Sequence, residues 1–244
     1  MGHNWVASPN SRTNNNNGCP FCGNKKVLTG FNDLKTKYPK IAKEAFGWDP
    51  SKTLFGTKKK LAWQCPKGHI YKTTVILRTG RDKTGCPFCS NRKVLTGFND
   101  LQTKFPALAK EADGWDPREF LYGSNKSMLW HCIKGHSYEA SISARVRGRS
   151  CSYCAGKKVL AGFNDLQTKF PSLAKEADGW DPSKIMAGSS KKLPWRCNYG
   201  HKWIAQVSNR TINDASCPFC SNKKLLIGFN DLFTRFPKIA DEAD

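Results

Sequence analysis

The sequence has little acid, few histidines and no long apolar run. Among 244 residues, 19 Asp+Glu stand against 40 Lys+Arg, a formal charge of +21. That imbalance turns attention to polyanionic partners, meaning nucleic acid or an anionic membrane surface. No apolar stretch approaches the roughly 20 residues needed to span a bilayer, which excludes an integral membrane protein. No signal peptide opens the chain, so secretion is not expected. The expected location is intracellular: cytoplasm or nucleoid in a bacterium, nucleus or virion in a viral or eukaryotic setting. Apolar residues make up 39%, too few for one large core. Several small cores with another source of stability are expected instead.

Cysteine is plentiful. There are 11, an odd number that suits a closed disulfide framework poorly. They fall in Cys-x-x-Cys pairs or four residues before a histidine, which is metal-ligand spacing.

The chain repeats itself, and the repeat sets the architecture. Cys-Pro-Phe-Cys at 19–22 recurs at 86–89 and 217–220, with Cys-Ser-Tyr-Cys at 151–154. The first cysteines are 67, 65 and 66 residues apart. A basic doublet follows each pair: Lys25-Lys26, Arg92-Lys93, Lys157-Lys158 and Lys223-Lys224. Gly-Phe-Asn-Asp-Leu comes next, at 30–34, 97–101, 162–166 and 228–232.

The next segment reads as two short helical pieces. Asn32 or Asp33 can cap the first, and Pro39, Pro106, Pro171 or Pro237 suits the first turn of the second. In the second unit that helix is expected to stop at Gly114, before Trp115-Asp116-Pro117. A strand, a knuckle and a second strand follow. In the first complete unit these are Leu61–Cys65, Pro66-Lys67-Gly68-His69 and the β-branched run Ile70–Leu77.

These breaks divide the chain into a partial N-terminal unit (1–29), three units of helical spacer plus strand pair (30–96, 97–161 and 162–227) and a truncated spacer (228–244). Gly2-His3-Asn4-Trp5 matches Gly200-His201-Lys202-Trp203 without the preceding cysteine. The other end stops short of a further Gly-Trp-Asp-Pro. The chain therefore reads either as a piece of a longer array, the preferred reading, or as an array closed by degenerate capping repeats.

Each complete unit offers Cys-x3-His followed by Cys-x2-Cys. The sets are Cys65, His69, Cys86, Cys89; Cys132, His136, Cys151, Cys154; and Cys197, His201, Cys217, Cys220. Four thiolate and imidazole donors suit tetrahedral Zn²⁺, and a closed cage leaves no position for a reactive water, so the sites are structural. Gly68, Gly135 and Gly200 supply the tight knuckle turn. The pairing is open in one respect. From histidine to the next cysteine the gaps are 17, 15 and 16, whereas from a Cys-x-x-Cys pair to the next cysteine the gap is always 43. The short pairing is preferred, because ribbon sites usually close over about 15–20 residues. His3, Cys19 and Cys22 are then a three-ligand remnant. His131 stands outside the pattern and reads as an exposed strand residue.

Trp-x-Cys-x-x-Gly-His, an aromatic two residues on, an arginine, then Cys-Pro-x-Cys and the basic Gly-Phe-Asn-Asp-Leu segment together resemble the tandem zinc-ribbon, treble-clef-like repeats of bacterial and viral proteins. The resemblance covers nearly the whole chain. It implies a fold class of small α+β zinc-finger repeats, with β-hairpin units alternating with short helical spacers. It also implies zinc as cofactor, three full structural sites and a partial fourth, and a role in nucleic-acid binding beside nuclease-type domains. The missing leading cysteine of the first unit is the departure from the pattern.

Charge is uneven along the repeat. Residues 51–95 carry 11 bases and one acid, Asp82, while residues 96–116 carry two bases and four acids. An arginine lies nine residues after each Gly-His histidine: Arg12, Arg78, Arg145 and Arg210. These arginines are expected at the fingertip, with Arg81, Lys83, Arg147 and Arg149 as basic neighbours. A guanidinium fork suits phosphate or a guanine edge. The arginines and the basic doublets are the candidate nucleic-acid contacts. The aromatics Trp63, Trp130, Trp195, Trp48, Trp115, Trp180, Phe31, Phe98, Phe163 and Phe229 read as packing of small cores, not stacking platforms.

Three functions are weighed. The first is a non-catalytic array that binds nucleic acid, double-stranded DNA ahead of RNA, through phosphates and basic fingertips. The second is the targeting region of a nuclease whose catalytic domain lies outside this chain. The recurring acids Asp33, Asp100, Asp165, Asp231, Glu44, Glu111 and Glu176 read as helix caps and solvated helical faces, not as a catalytic cluster. The third is a protein-interaction or architectural array, which has no need of such positive charge.

Overall fold

The computed structural model describes residues 2–15, 17–81 and 83–242. Met1, Ala243 and Asp244, at the outer edges of the expected first and last segments, lie outside the described residues, as does Asp82. The chain forms two compact units, Met1–Leu129 with Ala140–Arg147 and Trp130–Glu139 with Gly148–Asp244. Three two-stranded sheets recur along it. They are β1 (Lys60–Gln64) with β2 (Ile70–Thr74), β3 (Ser127–His131) with β4 (Ser137–Ser141), and β5 (Lys192–Arg196) with β6 (Lys202–Gln206).

Each repeat begins from its Gly-Phe-Asn-Asp-Leu segment. Asp33 caps the helix Leu34–Lys37 by accepting from the Thr36 amide, and Asp100, Asp165 and Asp231 do the same for Leu101–Lys104, Leu166–Lys169 and Leu232–Arg235. The cap is the aspartate, not the asparagine before it. Tyr38 then leaves the helical region at φ −136°, ψ 65°. It precedes Pro39, whose ring disfavours the α conformation for the residue before it. A second four-residue helix, Pro39–Ala42, starts on that proline, and Pro106–Ala109 and Pro171–Ala174 repeat it.

The second helix ends well before the glycine expected to stop it, at Ala109 and not Gly114. The chain leaves the helix to lie along the sheet edge. In the first unit the Gln64 amide donates to the Glu44 carbonyl at 2.8 Å and the Phe46 amide to the Ala62 carbonyl at 3.1 Å. Backbone pairing with a strand outweighs the helix preference of these alanines, a tertiary effect that local propensity does not carry.

The second strand also stops early. It is expected through Leu77 but ends at Thr74, and Val75–Thr79 turns into helix. The reason is packing. Val75 is fully buried, and the Thr79 hydroxyl donates to the Phe55 carbonyl at 2.6 Å. The β-branched side chains serve the core from a helix, where χ1 is restricted but allowed. Ile142–Val146 and Val207–Thr211 repeat the turn.

The hairpin register puts Trp63 opposite Tyr71 and Trp195 opposite Trp203. Trp63, Trp130 and Trp195 have no exposed surface, as the sequence reading expected of packing residues. Around Trp63 gather Leu34, Ala42, Tyr71, Val75 and the ligand cysteines Cys65 and Cys86. The core around Trp195 holds Leu166, Trp203, Val207 and Cys217. Trp48 meets Trp63 edge-on at 5.0 Å, and Trp180 meets Trp195 at 5.1 Å. A buried tryptophan contributes on the order of 4–6 kcal/mol of gross transfer free energy, from about 150–250 Å² of surface. Ordering a backbone costs about 1–2 kcal/mol per residue. Cores this small therefore need a second stabiliser.

Candidate metal centres and basic surface

Four groups of donors converge. Cys65, His69, Cys86 and Cys89 bring one ligand atom each to within 4.8 Å of the others, as do Cys132, His136, Cys151 and Cys154, and Cys197, His201, Cys217 and Cys220. His3, Cys19 and Cys22 form a group of three. The short pairing, across the 15–17-residue loop, is the one that the fold brings together. The Gly68 amide donates to the Cys65 carbonyl at 2.8 Å, and Gly68 sits at φ +82°, closing the knuckle where a side chain would be strained.

The spacing tests the fit to zinc. Four donors placed tetrahedrally at about 2.3 Å for sulfur and 2.0–2.1 Å for nitrogen lie about 3.8 Å apart for S···S and 3.5 Å for S···N. In the first complete site Cys65 Sγ is 3.8 Å from Cys89 Sγ, and His69 Nδ1 is 3.5, 3.3 and 3.7 Å from Cys65, Cys89 and Cys86. The third site repeats these values at 3.9 Å and at 3.5, 3.3 and 3.7 Å. Sulfurs so far apart are not disulfide-bonded, and all 11 cysteines are free. The donor sets fit Zn²⁺. In the remnant, His3 Nδ1 lies 3.6 Å from Cys19 and 3.4 Å from Cys22. That is the same geometry with three donors.

Thiols crowded this closely resist joint ionisation. Burial first, then hydrogen bonds and charge from Cys86 and Cys65, push the Cys89 thiol up to about 11. Burial acts upward on Cys65 too, but hydrogen bonds from the His69 and Lys67 amides outweigh it and lower its pKa. A divalent cation at the centre of the cage removes the conflict by neutralising the thiolates. His131 stays apart, exposed on β3 with Nδ1 3.3 Å from the Ser137 hydroxyl.

The segment after each knuckle locks onto the site. The Phe98 ring meets the His69 ring edge-on at 4.1 Å, and Phe31, Phe163 and Phe229 meet His3, His136 and His201 at 4.3, 4.2 and 4.2 Å. Asn99, 1% exposed, donates to the Phe88 and Lys93 carbonyls at 2.9 Å and accepts from the Leu95 amide at 2.7 Å. One residue later Asp100 caps the next helix. The asparagine's link to the preceding metal knuckle was not read from sequence. Its recurrence at 32, 99, 164 and 230 was the available signal.

The expected fingertip role of Arg78, Arg145 and Arg210 is corrected by where they lie. Their side chains are 6%, 9% and 5% exposed and pair with Glu44, Glu111 and Glu176. Arg78 also lies over the Trp63 ring at 5.1 Å, and Arg210 over Trp195 at 4.8 Å. The helical turn after the second strand points them back into the core. Glu44, Glu111 and Glu176 are thus ion-pair partners, not solvated helical faces. The missed signal was their constant 34-residue offset from the arginines. Arg12 differs: it is exposed, donates to the Asn17 carbonyl at 2.7 Å and lies over Trp5 at 5.5 Å.

The other candidate contacts are at the surface. Lys25, Lys26, Arg92, Lys93, Lys157, Lys158, Lys223 and Lys224 are all exposed, as are Arg81, Lys83, Arg147 and Arg149. The doublets are held by the knuckle: the amides of Arg92 and Lys93 donate to the Pro87 carbonyl at 2.8 and 3.1 Å, and Lys223 and Lys224 to Pro218 at 2.8 and 2.9 Å.

Residues 43–92, 109–157 and 173–223 each match the family described as "Probable Treble clef zinc finger domain", more than half of the chain in all. The chain belongs to this family. Each matched segment of this treble-clef array runs from the C-terminal end of the second helix through a hairpin to the first residue of the basic doublet, and so encloses one complete donor set. A search of curated proteins returned no match. Among the described residues, no helix is long and apolar enough to cross a membrane.

Proposed function

We propose that this treble-clef array is a non-catalytic module that binds nucleic acid, double-stranded DNA ahead of RNA, by contacting phosphates from its zinc-held knuckles. The observation that carries the reading is the set of four exposed basic doublets, each following its Cys-x-x-Cys pair. Backbone hydrogen bonds to the knuckle fix where each doublet projects. Lysine and arginine so placed can displace condensed counterions from a duplex, which gives affinity with little sequence preference.

The non-catalytic reading rests on how the acids are used. The recurring aspartates cap helices, and Glu44, Glu111 and Glu176 pair with buried arginines. Trp63, Trp130 and Trp195 are enclosed and offer no stacking face, while Tyr199, Phe233 and Phe236 are exposed, so the preference for a duplex rests on the phosphate-directed charge of the doublets.

The test is binding of the zinc-loaded chain to labelled duplex DNA, single-stranded DNA and RNA across a salt series. The expected result is a steep linear fall of log affinity with log salt, with the duplex bound tightest. Salt-insensitive or absent binding overturns the proposal.

A further inference from the structure

The three complete ribbons share a fold but not a surface. On the first, a groove of about 540 Å³ is lined by Lys60, Lys72, Arg92 and Lys93. No carboxylate of the described residues lines it. In the hairpin register Lys60 faces Thr74 and Lys72 faces Ala62. The two lysines are therefore diagonal neighbours on one face, about 7–8 Å apart at the backbone. Arg92 is anchored by neutral acceptors, with Nε donating to the Ser90 hydroxyl at 2.9 Å and Nη2 to the Gly85 carbonyl at 3.1 Å. Its position is fixed, and among the described residues no carboxylate pairs with it.

The same positions differ elsewhere. β3 and β4 carry Ser127 and Glu139, and β5 and β6 carry Lys192 and Ile204. The doublet is common to all ribbons, but only the first carries lysine at both of these strand positions. Like charges gathered without acid repel one another, a cost that a bound polyanion reverses.

We infer that this groove is the principal phosphate-binding site of the array and seats the DNA backbone, so that the ribbons contribute unequally. The inference rests on the nucleic-acid reading above. Lys60 and Lys72 supply two point charges, and Arg92 supplies a fixed guanidinium fork able to grip one phosphate by two donors.

The experiment compares the zinc-loaded wild type with Lys60→Gln/Lys72→Gln and with Lys191→Gln/Lys192→Gln, which removes equal charge from the third ribbon. The probe is a labelled duplex of arbitrary sequence. The groove variant is expected to bind about tenfold more weakly, with a salt slope shallower by about 2, and the control to change less than threefold. Equal loss in both variants, or none in the first, overturns the groove while leaving the nucleic-acid reading intact. Failure of the wild type to bind overturns that reading itself. Lysine acetylation of the unaltered protein gives a second readout that no folding defect can mimic. Duplex should protect Lys60 and Lys72 more than Lys191 and Lys192, and the reverse order sinks the inference.

Discussion

Arg78 and Glu44 meet inside the first complete ribbon, Nη2 to Oε2 at 2.5 Å, with the guanidinium 6% exposed and the carboxylate 22%. Glu44 is delivered by the strand-like segment beside β1, and Arg78 by the helix that follows β2. The Tyr71 hydroxyl donates to the same carboxylate at 3.4 Å. The pair thus fastens the helical half of the repeat to the ribbon half.

Replacing one partner strands the other. Arg78→Ala is expected to destabilise the zinc-loaded protein by about 2–4 kcal/mol, toward the lower part of the range for broken buried pairs because Glu44 is partly open to water. Arg78→Lys should lose part of this, since a point charge cannot reproduce the fork over Trp63. Denaturant melts with zinc held in excess measure it. A melt unchanged by Arg78→Ala would return the arginine to the surface.

Zinc should be taken up in at least three tight equivalents. The His3, Cys19 and Cys22 group, with one donor fewer, should release its ion first against a chelator. With the Cys89 thiol pushed up to about 11, loading at neutral pH must expel protons. Calorimetry in buffers of different ionisation enthalpy reads that release. A count below three, or no proton release, contradicts the cage assignment.

Asn99 joins one metal knuckle to the next helix through four side-chain hydrogen bonds, three of them to backbone groups. Asn99→Ala takes the side-chain partner from the Leu95 amide and the Lys93 carbonyl, while the Phe88 carbonyl keeps the Asn91 amide, and should cost about 1–3 kcal/mol. It should also loosen Lys93, whose carbonyl the side chain holds. Hydrogen exchange should quicken at Leu95 and at the start of the Leu101–Lys104 helix while zinc content holds. Unaltered exchange there would show that the segment is held by the phenylalanine alone.

The capping aspartates give stability a sign in acid. Burial raises the Asp100 pKa, but hydrogen bonds from Thr103 and Gly97 outweigh it and leave the pKa lowered. Asp231 is lowered to about 2, chiefly by the Thr234 hydroxyl and amide. Folded values below the unfolded one mean that the contribution is whole above the ordinary aspartate pKa of about 4 and is lost as pH falls through the folded value. Asp100→Asn should therefore narrow its stability gap to wild type as pH drops from 6 toward 3. A constant gap would show that the charge of Asp100 plays no part.

How much was legible depended on the range of the interaction. Zinc ligation is a chemistry of residue type and local spacing, and Cys65, His69, Cys86 and Cys89 announce it within 25 residues. The caps at Asp33 and Asp100 are likewise local, since a cap needs only the next turn. The fingertip arginines were misread because a nine-residue interval from the histidine says where Arg78 comes in the chain and nothing about what it faces.

The sequence alone determined the repeat, the four donor groups and the excess of positive charge, because each is written in residue identity and period. Only the tertiary structure sorted that charge. It turned Arg78, Arg145 and Arg210 inward onto glutamates 34 residues away, since the chain bends into helix where β-branched residues suggested strand. It left the doublets at the surface, because their backbones are tied to the metal knuckle.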